Sequence, residues 1–115
     1  MGDRIFQTAD FVQVSEGEPV RSVVTESEQA VIVMWHLLPG QRIAAHVHPQ
    51  GQDSWTILRG QGEYVLGAGE VTKIGVGDVA IAPVGAVHGV LNCGEEPLVF
   101  VSVVSPGAAG YELMG

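Results

Sequence analysis

The sequence has a single cysteine, few basic residues and no long apolar run. Cys93 cannot form an internal disulfide, which fits a reducing compartment. Five basic residues stand against thirteen acidic ones, and the resulting net charge of −8 repels nucleic-acid phosphates and anionic lipid surfaces. No stretch approaches the roughly eighteen consecutive apolar residues of a membrane-spanning helix. We therefore expect neither nucleic acid nor membrane as a partner.

The N-terminal residues also lack the features of a targeting segment. Acidic and polar side chains occupy the sequence MGDRIFQTAD, where a secretory signal needs a continuous apolar run. Together with the single cysteine, this composition indicates a cytoplasmic protein.

No window of ten or more residues has a clean helical period, and the 16 glycines and six prolines instead separate short apolar runs. At 115 residues, 46% of them hydrophobic, the chain is expected to form one all-β domain over residues 1–115. Nine or ten strands at this spacing are typical of a sandwich or barrel. We predict one or two edge strands in 1–19, strands over 20–25, 29–38, 41–48, 53–58, 63–66, 70–74, 79–82, 88–92 and 98–104, and a loosely held tail over 106–115.

Two histidines two residues apart dominate the stretch 40–60. On a β-strand, His46 and His48 would point to the same face, about 7 Å apart along the chain. Asp53 follows five residues later, and a turn at Pro83 and Gly85 brings in His88. Buried histidines without a metal would need other partners for their ring nitrogens. Neutral imidazoles with a carboxylate suit Fe, Mn, Ni, Co, Zn or Cu, and the ligands alone do not select one of these divalent metals.

Two spaced motifs carry a resemblance to the cupin family. The first stretch resembles the pattern G-x5-H-x-H-x(3,4)-E-x6-G, with Gly40, His46, His48 and Gly60 in register. Residues 77–92 resemble the pattern G-x5-P-x-G-x2-H-x3-N, with matches at Gly77, Pro83, Gly85, His88 and Asn92. The resemblance implies a double-stranded β-helix of the jelly-roll type with a divalent metal inside the barrel.

The metal ligands that the resemblance implies are His46, His48, the acidic position and His88. The family usually has Glu at the acidic position, whereas this chain has Asp53, which is shorter by one methylene, roughly 1.5 Å of reach. Gln52 would satisfy the shorter, three-residue spacing after His48. It is then separated from Gly60 by seven residues, whereas the pattern has six. Asp53 is therefore the predicted fourth ligand. The alternatives are contact through water, a three-histidine site in which Asp53 orients a ligand, or Asp53 as general base.

Several other residues are assigned by the alternation of side chains along strands. Trp35 is predicted to face away from Met34, toward a second sheet or a partner chain. The apolar strand 30–38 and the N-terminal edge make a homodimer the expected state, because small cupins commonly pair through one sheet. His36, Tyr64 and Asn92 are expected to have structural roles, Cys93 to point away from His88, and Arg42 and Arg59 to be solvated at strand ends. The predicted pocket lining is Met34, Trp55, Ile57, Val90 and Phe100.

Two functions follow from the predicted site. The first is a metalloenzyme of the dioxygenase, isomerase or lyase type that acts on a small organic molecule, because three histidines in a barrel leave coordination positions open. The alternative is a non-catalytic module in which the metal anchors a small ligand. A purely structural metal is a third interpretation, which four or more protein ligands with no open position would support. The resemblance does not select one reaction, because the fold hosts many.

Overall fold

Ten strands and one short 3-10 helix form the protein in a computed structural model that describes residues 4–114. The 3-10 helix spans Thr8–Phe11. The strands are β1 (Ser22–Glu26), β2 (Val31–Leu37), β3 (Arg42–Val47), β4 (Gln52–Arg59), β5 (Gln61–Gly67), β6 (Glu70–Gly75), β7 (Val79–Ala82), β8 (His88–Leu91), β9 (Leu98–Ser105) and β10 (Glu112–Leu113). No helix among these residues is long and apolar enough to cross a membrane.

The strands form two five-stranded antiparallel sheets. The order is β1-β2-β9-β4-β7 in the first sheet and β10-β3-β8-β5-β6 in the second. Most neighbours in each sheet are distant in sequence, so the chain passes repeatedly between the two layers. The prediction of an all-β double-stranded β-helix is confirmed.

The core lies between the sheets and follows from the alternation of side chains along each strand. On β2, Trp35 and Leu37 face inward, where they pair with Phe100 and Leu98 of β9. The core cluster consists of Leu37, Trp55, Ile57, Tyr64, Ile74, Val90, Leu98 and Phe100. Every buried side chain of this size contributes about 1.5–3 kcal/mol to folding, so this cluster is the main source of stability.

The segment before β1 differs from the prediction of edge strands in residues 1–19. Residues 1–3 lie outside the described residues, and residues 4–19 contain the 3-10 helix and no strand. Side-chain hydrogen bonds hold this segment in place of a strand ladder. Gln13 Nε2 donates to Ser22 Oγ at 3.0 Å, and Gln41 Nε2 donates to the carbonyl oxygens of Ser15 and Gly17 at 2.7 and 2.6 Å.

The C-terminal segment is held by its backbone, which corrects the prediction of a loose tail. β10 pairs with β3, and the Met114 amide donates to the Ala45 carbonyl at 3.0 Å. Ala109 is buried, and its carbonyl accepts from the Gln50 amide at 2.8 Å. Without β10, β3 would be an edge strand with unpaired backbone groups, which explains why the segment is ordered. Gly115, the last residue of the predicted tail, lies outside the described residues.

Gly89 is expected to be required where β8 meets β3. A Cβ at this position would lie 2.7 Å from the Ile43 carbonyl oxygen and 3.1 Å from the Ala45 amide nitrogen, both of which are backbone atoms. Gly89→Ala should therefore separate the strands and lower the free energy of unfolding by about 1–3 kcal/mol, as overpacking does. Urea denaturation measures this change.

Gly75→Ala is the matched control, because the nearest atom to its Cβ would be the Gly60 carbonyl oxygen at 3.8 Å, an ordinary contact. Equal stability of the two variants would contradict the close approach of β8 and β3.

Candidate metal centre

The four predicted ligands come together between the two sheets. His46 on β3 pairs directly with His88 on β8, and Asp53 reaches them from β4 in the other sheet. His48 lies one residue beyond β3. One donor atom from each residue lies within 4.8 Å of all the others. This group, His46, His48, Asp53 and His88, is called the histidine–aspartate cluster below.

The backbone orients all three imidazoles. His46 Nδ1 lies 2.9 Å from the Ala44 carbonyl oxygen, and His88 Nδ1 lies 3.1 Å from the corresponding oxygen of Ala86. His48 Nδ1 lies 2.7 Å from the carbonyl oxygen of Gly110 in the C-terminal segment. A carbonyl oxygen only accepts, so each Nδ1 carries a proton and donates. When neutral, each ring therefore keeps its lone pair on Nε2.

Both carboxylate oxygens of Asp53 have partners, Oδ1 within its own sheet and Oδ2 among the histidines of the cluster. Its Oδ1 accepts a hydrogen bond from Ser102 Oγ at 2.6 Å. Its Oδ2 lies 3.0 Å from His88 Nε2 and 3.3 Å from His48 Nε2. Imidazole lone pairs directed at a carboxylate oxygen repel it unless a cation, either a proton or a metal ion, lies between them. The cluster is therefore arranged to hold a cation.

The local environment separates the pKa values within the cluster. Burial, together with the neighbouring His88 and His48, lowers the pKa of His46 to about 4, although the hydrogen bond to the Ala44 carbonyl opposes this. The hydrogen bond to Asp53 raises the pKa of His48, although burial opposes this. Burial also opposes ionisation of Asp53, but the hydrogen bonds from His48, His88 and Ser102 outweigh it and hold the pKa of that carboxyl well below its usual range.

The low pKa of Asp53 bears on its two predicted roles. A general base is most effective when its pKa lies near the working pH. A carboxyl held well below its usual pKa accepts a proton poorly and remains a charged donor for a cation. The low pKa therefore suits Asp53 to the role of a charged ligand better than to that of a general base, and both roles stay predictions.

A cavity of about 360 Å³ opens beside the cluster. Its volume lies at the lower end of the range for small-molecule pockets. Apolar side chains from both sheets and the C-terminal segment surround the polar residues of the site. The cavity is lined by Arg21, Val31, Val33, Trp35, Ile43, His46, His48, Asp53, Trp55, Ser102, Val104, Gly107, Ala109, Gly110 and Tyr111.

Of the five predicted pocket residues, the cavity wall contains only Trp55. Ile57, Val90 and Phe100 are fully buried members of the core cluster, where the apolar strands fill the barrel. Met34 lies on the outer face of β2, because the cavity is lined by Val31, Val33 and Trp35, which alternate with it. The prediction that Met34 lines the pocket is therefore wrong, whereas Trp35 faces away from Met34, as predicted, and toward the space between the two sheets.

The cavity also contains residues that sequence reasoning missed. Ser102 shares the inward face of β9 with Phe100, so strand alternation was a usable signal. Tyr111 was assigned to the tail, yet its ring centroid lies 5.0 Å from that of His46 and 6.1 Å from that of His48. Arg21 precedes β1, and no local pattern pointed to it.

The remaining candidates lie elsewhere. His36 is buried but is not part of the histidine–aspartate cluster. Arg59 is more than half exposed and pairs with Glu96 at 3.7 Å, and Cys93 is exposed.

Burial raises the pKa of Tyr64 to about 12, in keeping with a packing role. Asn92 donates to the Leu37 and Glu96 carbonyl oxygens at 2.9 and 3.0 Å, in keeping with its predicted structural role.

Comparisons with known proteins agree with this arrangement. The family model described as "Cupin domain" matches residues 33–104. An uncharacterized conserved protein with a double-stranded β-helix domain from Klebsiella pneumoniae is 54% identical over 99% of both chains, with a TM-score of 0.96. No curated protein gives a significant match.

Two more distant crystal structures share the fold. An RmlC-like cupin protein from Desulfovibrio desulfuricans is 25% identical, with a TM-score of 0.80 over 91% of this chain and 98% of that one. A protein from Thermotoga maritima described as a predicted oxalate decarboxylase is also 25% identical, with a TM-score of 0.70 over 83% and 97% of the two chains.

The Asp53→Asn variant tests the electrostatics of the cluster. In the metal-free protein, His46 should titrate near 4, and the pKa of His48 should lie above its usual value. Loss of the Asp53 charge should lower the pKa of His48, because that hydrogen bond is the largest cause of its upward shift. Titration of the imidazole proton resonances by NMR measures both pKa values.

Asp78→Asn is the control, since Asp78 accepts from the Gly75 amide at 2.7 Å in a surface turn. An unchanged His48 pKa in Asp53→Asn would contradict the described contact.

Proposed function

The chain belongs to the cupin family, and we propose that its histidine–aspartate cluster binds a divalent transition metal. We further propose that the protein is a metalloenzyme that acts on a small organic molecule in the adjoining cavity. The observation that carries this proposal is the convergence of three imidazole nitrogens and one carboxylate oxygen on a single point beside that cavity.

The spacing of the donor atoms around Asp53 Oδ2 is compatible with a shared metal ion as well as with hydrogen bonds. Bonds of about 2.1 Å at angles of about 90–109° place neighbouring ligand atoms roughly 3.0–3.4 Å apart. The distances from Asp53 Oδ2 to His88 Nε2 and His48 Nε2, 3.0 and 3.3 Å, fall within this range. One proton bridges only one such pair, whereas a metal ion could use all four donor atoms, which lie within 4.8 Å of one another.

The chain fixes each ligand before any metal binds. The backbone carbonyls of Ala44, Ala86 and Gly110 hold the imidazole rings, and Ser102 holds the carboxylate. Such supporting hydrogen bonds orient ligands and strengthen metal binding. The donor set suits Fe, Mn, Ni, Co, Zn or Cu.

The cavity supports a reaction on a bound molecule. A metal with three imidazoles and one carboxylate can retain open positions, and when bound it supplies a Lewis acid or a site for O₂ chemistry. The side chains of Val33, Trp35 and Val104 give the cavity a partly apolar wall. The description of the Thermotoga maritima protein as a predicted oxalate decarboxylase adds support for chemistry on a small acid. The reaction class remains a dioxygenase, isomerase or lyase.

Metal content is the first test of the proposal. Purified untagged protein should contain a near-stoichiometric transition metal by inductively coupled plasma mass spectrometry. His88→Ala should lower metal affinity by at least about 10-fold, because removal of a ligand costs more than loss of a supporting contact, which alone costs about 10–100-fold.

His36→Gln is the matched control, since His36 is the remaining histidine and lies outside the cluster. Circular dichroism confirms that each variant is folded. Equal metal retention by His88→Ala and wild type would contradict the proposed site, as would a failure of the wild type to take up any metal on titration.

Turnover separates an enzyme from a binding module. Protein loaded with Fe(II) and exposed to air should consume at least one member of a panel of small acids, phenols and thiols, and His88→Ala should not. Consumption is measured by chromatography. Tight binding without consumption for any metal in the donor set would instead favour the module that only holds a ligand.

A further inference from the structure

Arg21 introduces a positive charge into the wall of the cavity. It directly precedes β1, in which Ser22 pairs with Met34 on the outer face and Val23 pairs with Val33, a lining residue of the cavity. Since side chains alternate along an extended chain, Arg21 falls on the inward side together with Val23. Its side chain accordingly lines the cavity.

The charge of Arg21 has no ion-pair partner in the part of the chain that the structure describes. It is close enough to His48 for its charge to oppose protonation of that ring. The other titratable lining residues are His46, His48, Asp53 and Tyr111, so the guanidinium is the permanent cation of the described wall. In a chain with a net charge of −8, such a cation is an unusual feature of a cavity.

Apart from Arg21 and the cluster, much of the cavity wall is apolar. Val31, Val33, Trp35, Ile43 and Val104 supply this surface. A ligand that matches Arg21, the apolar wall and the histidine–aspartate cluster would have three parts. These are an anionic group, a compact apolar body and an oxygen donor directed at the cluster. Arginine presents a planar fork of N–H donors that matches a carboxylate with two parallel hydrogen bonds.

We propose that Arg21 determines specificity by binding the carboxylate of a small organic acid whose other polar group faces the histidine–aspartate cluster. The inference rests on the proposed function for the metal-facing end of the ligand. A carboxylate fits better than a phosphate, because one guanidinium balances one negative charge and Asp53 already places a carboxylate in the cavity wall. The inference gives the proposed enzyme a substrate class, a carboxylic acid with an apolar side chain.

Two other arginines do not compete for this role. Arg59 pairs with Glu96, and Arg42 lies at the start of β3, outside the lining of this cavity. Arg59→Gln is therefore a matched control for removal of one positive charge from the protein.

Ligand binding can be followed by intrinsic fluorescence, because the chain contains two tryptophans and both Trp35 and Trp55 line the cavity. The probes are glycolate, lactate, α-hydroxyisovalerate and mandelate, each with its neutral amide, together with isobutyl phosphate. Titrations use Zn(II)-loaded protein, which binds without redox turnover, and are repeated on metal-free protein at the same ionic strength.

Wild type should bind acids more tightly than the corresponding amides. Arg21→Gln should weaken acid binding by about 10-fold and leave amide binding unchanged. This factor is at the lower end for the loss of a charge-assisted hydrogen bond, because Arg21 is partly in solvent. Arg21→Lys should restore part of the affinity, and Arg59→Gln should behave as wild type. Thermal unfolding controls for folding, which loss of this exposed side chain should not affect.

Three results would overturn the inference: equal binding of acids and amides, acid binding that does not change in Arg21→Gln, or no binding of any acid in the series. Tighter binding of isobutyl phosphate than of every acid would overturn the choice of a carboxylate. If the protein takes up no metal, the proposed function fails separately, and the acid–amide comparison on metal-free protein still decides the role of Arg21.

Discussion

The buried carboxylate of Asp53 is the constraint on which the site depends. It lies on one sheet and contacts two imidazoles that the other sheet positions, so the two layers are joined by charge as well as by apolar packing. Burial of an unpaired carboxylate would cost several kcal/mol, and the hydrogen bond from Ser102 together with the imidazoles offsets this cost. The same contacts keep Asp53 ionised and raise the pKa of His48, so the site is prepared for a cation by the fold itself.

Much of the fold could be predicted because short apolar runs separated by turn residues are visible in the sequence. Glycine and proline mark the turns, and each predicted strand between β1 and β9 overlaps a strand of the structure. The orientation of β2 could not be predicted, since it is apolar on both faces and the alternation of Met34 and Trp35 gives no sign of which one faces inward. The tail was missed for a different reason. The two residues of β10 have little intrinsic preference, and their pairing with β3 depends on an edge that exists only in the folded protein.

The candidate site was predictable where its residues follow local rules. His46 and His48 share a face by spacing, and the turn before His88 is visible in the chain. Arg21 and Tyr111 enter the cavity from segments far away in sequence, and nothing near either residue marks it as part of a site. The cavity is therefore specified by tertiary structure, whereas the histidine–aspartate cluster is largely specified by motif.

The hydrogen bond between His48 and Gly110 has a consequence for how the protein is made. His46 and His88 each bond to a carbonyl two residues earlier, so their orientation needs only the local chain. His48 instead depends on a carbonyl 62 residues later, and the ribosome adds Gly110 after all four residues of the cluster. A nascent chain that ends before Gly110 can contain all four residues of the cluster. In such a chain, His48 Nδ1 lacks the carbonyl oxygen that accepts its hydrogen bond. The contact that orients the His48 ring therefore cannot form until the C-terminal segment has been synthesised.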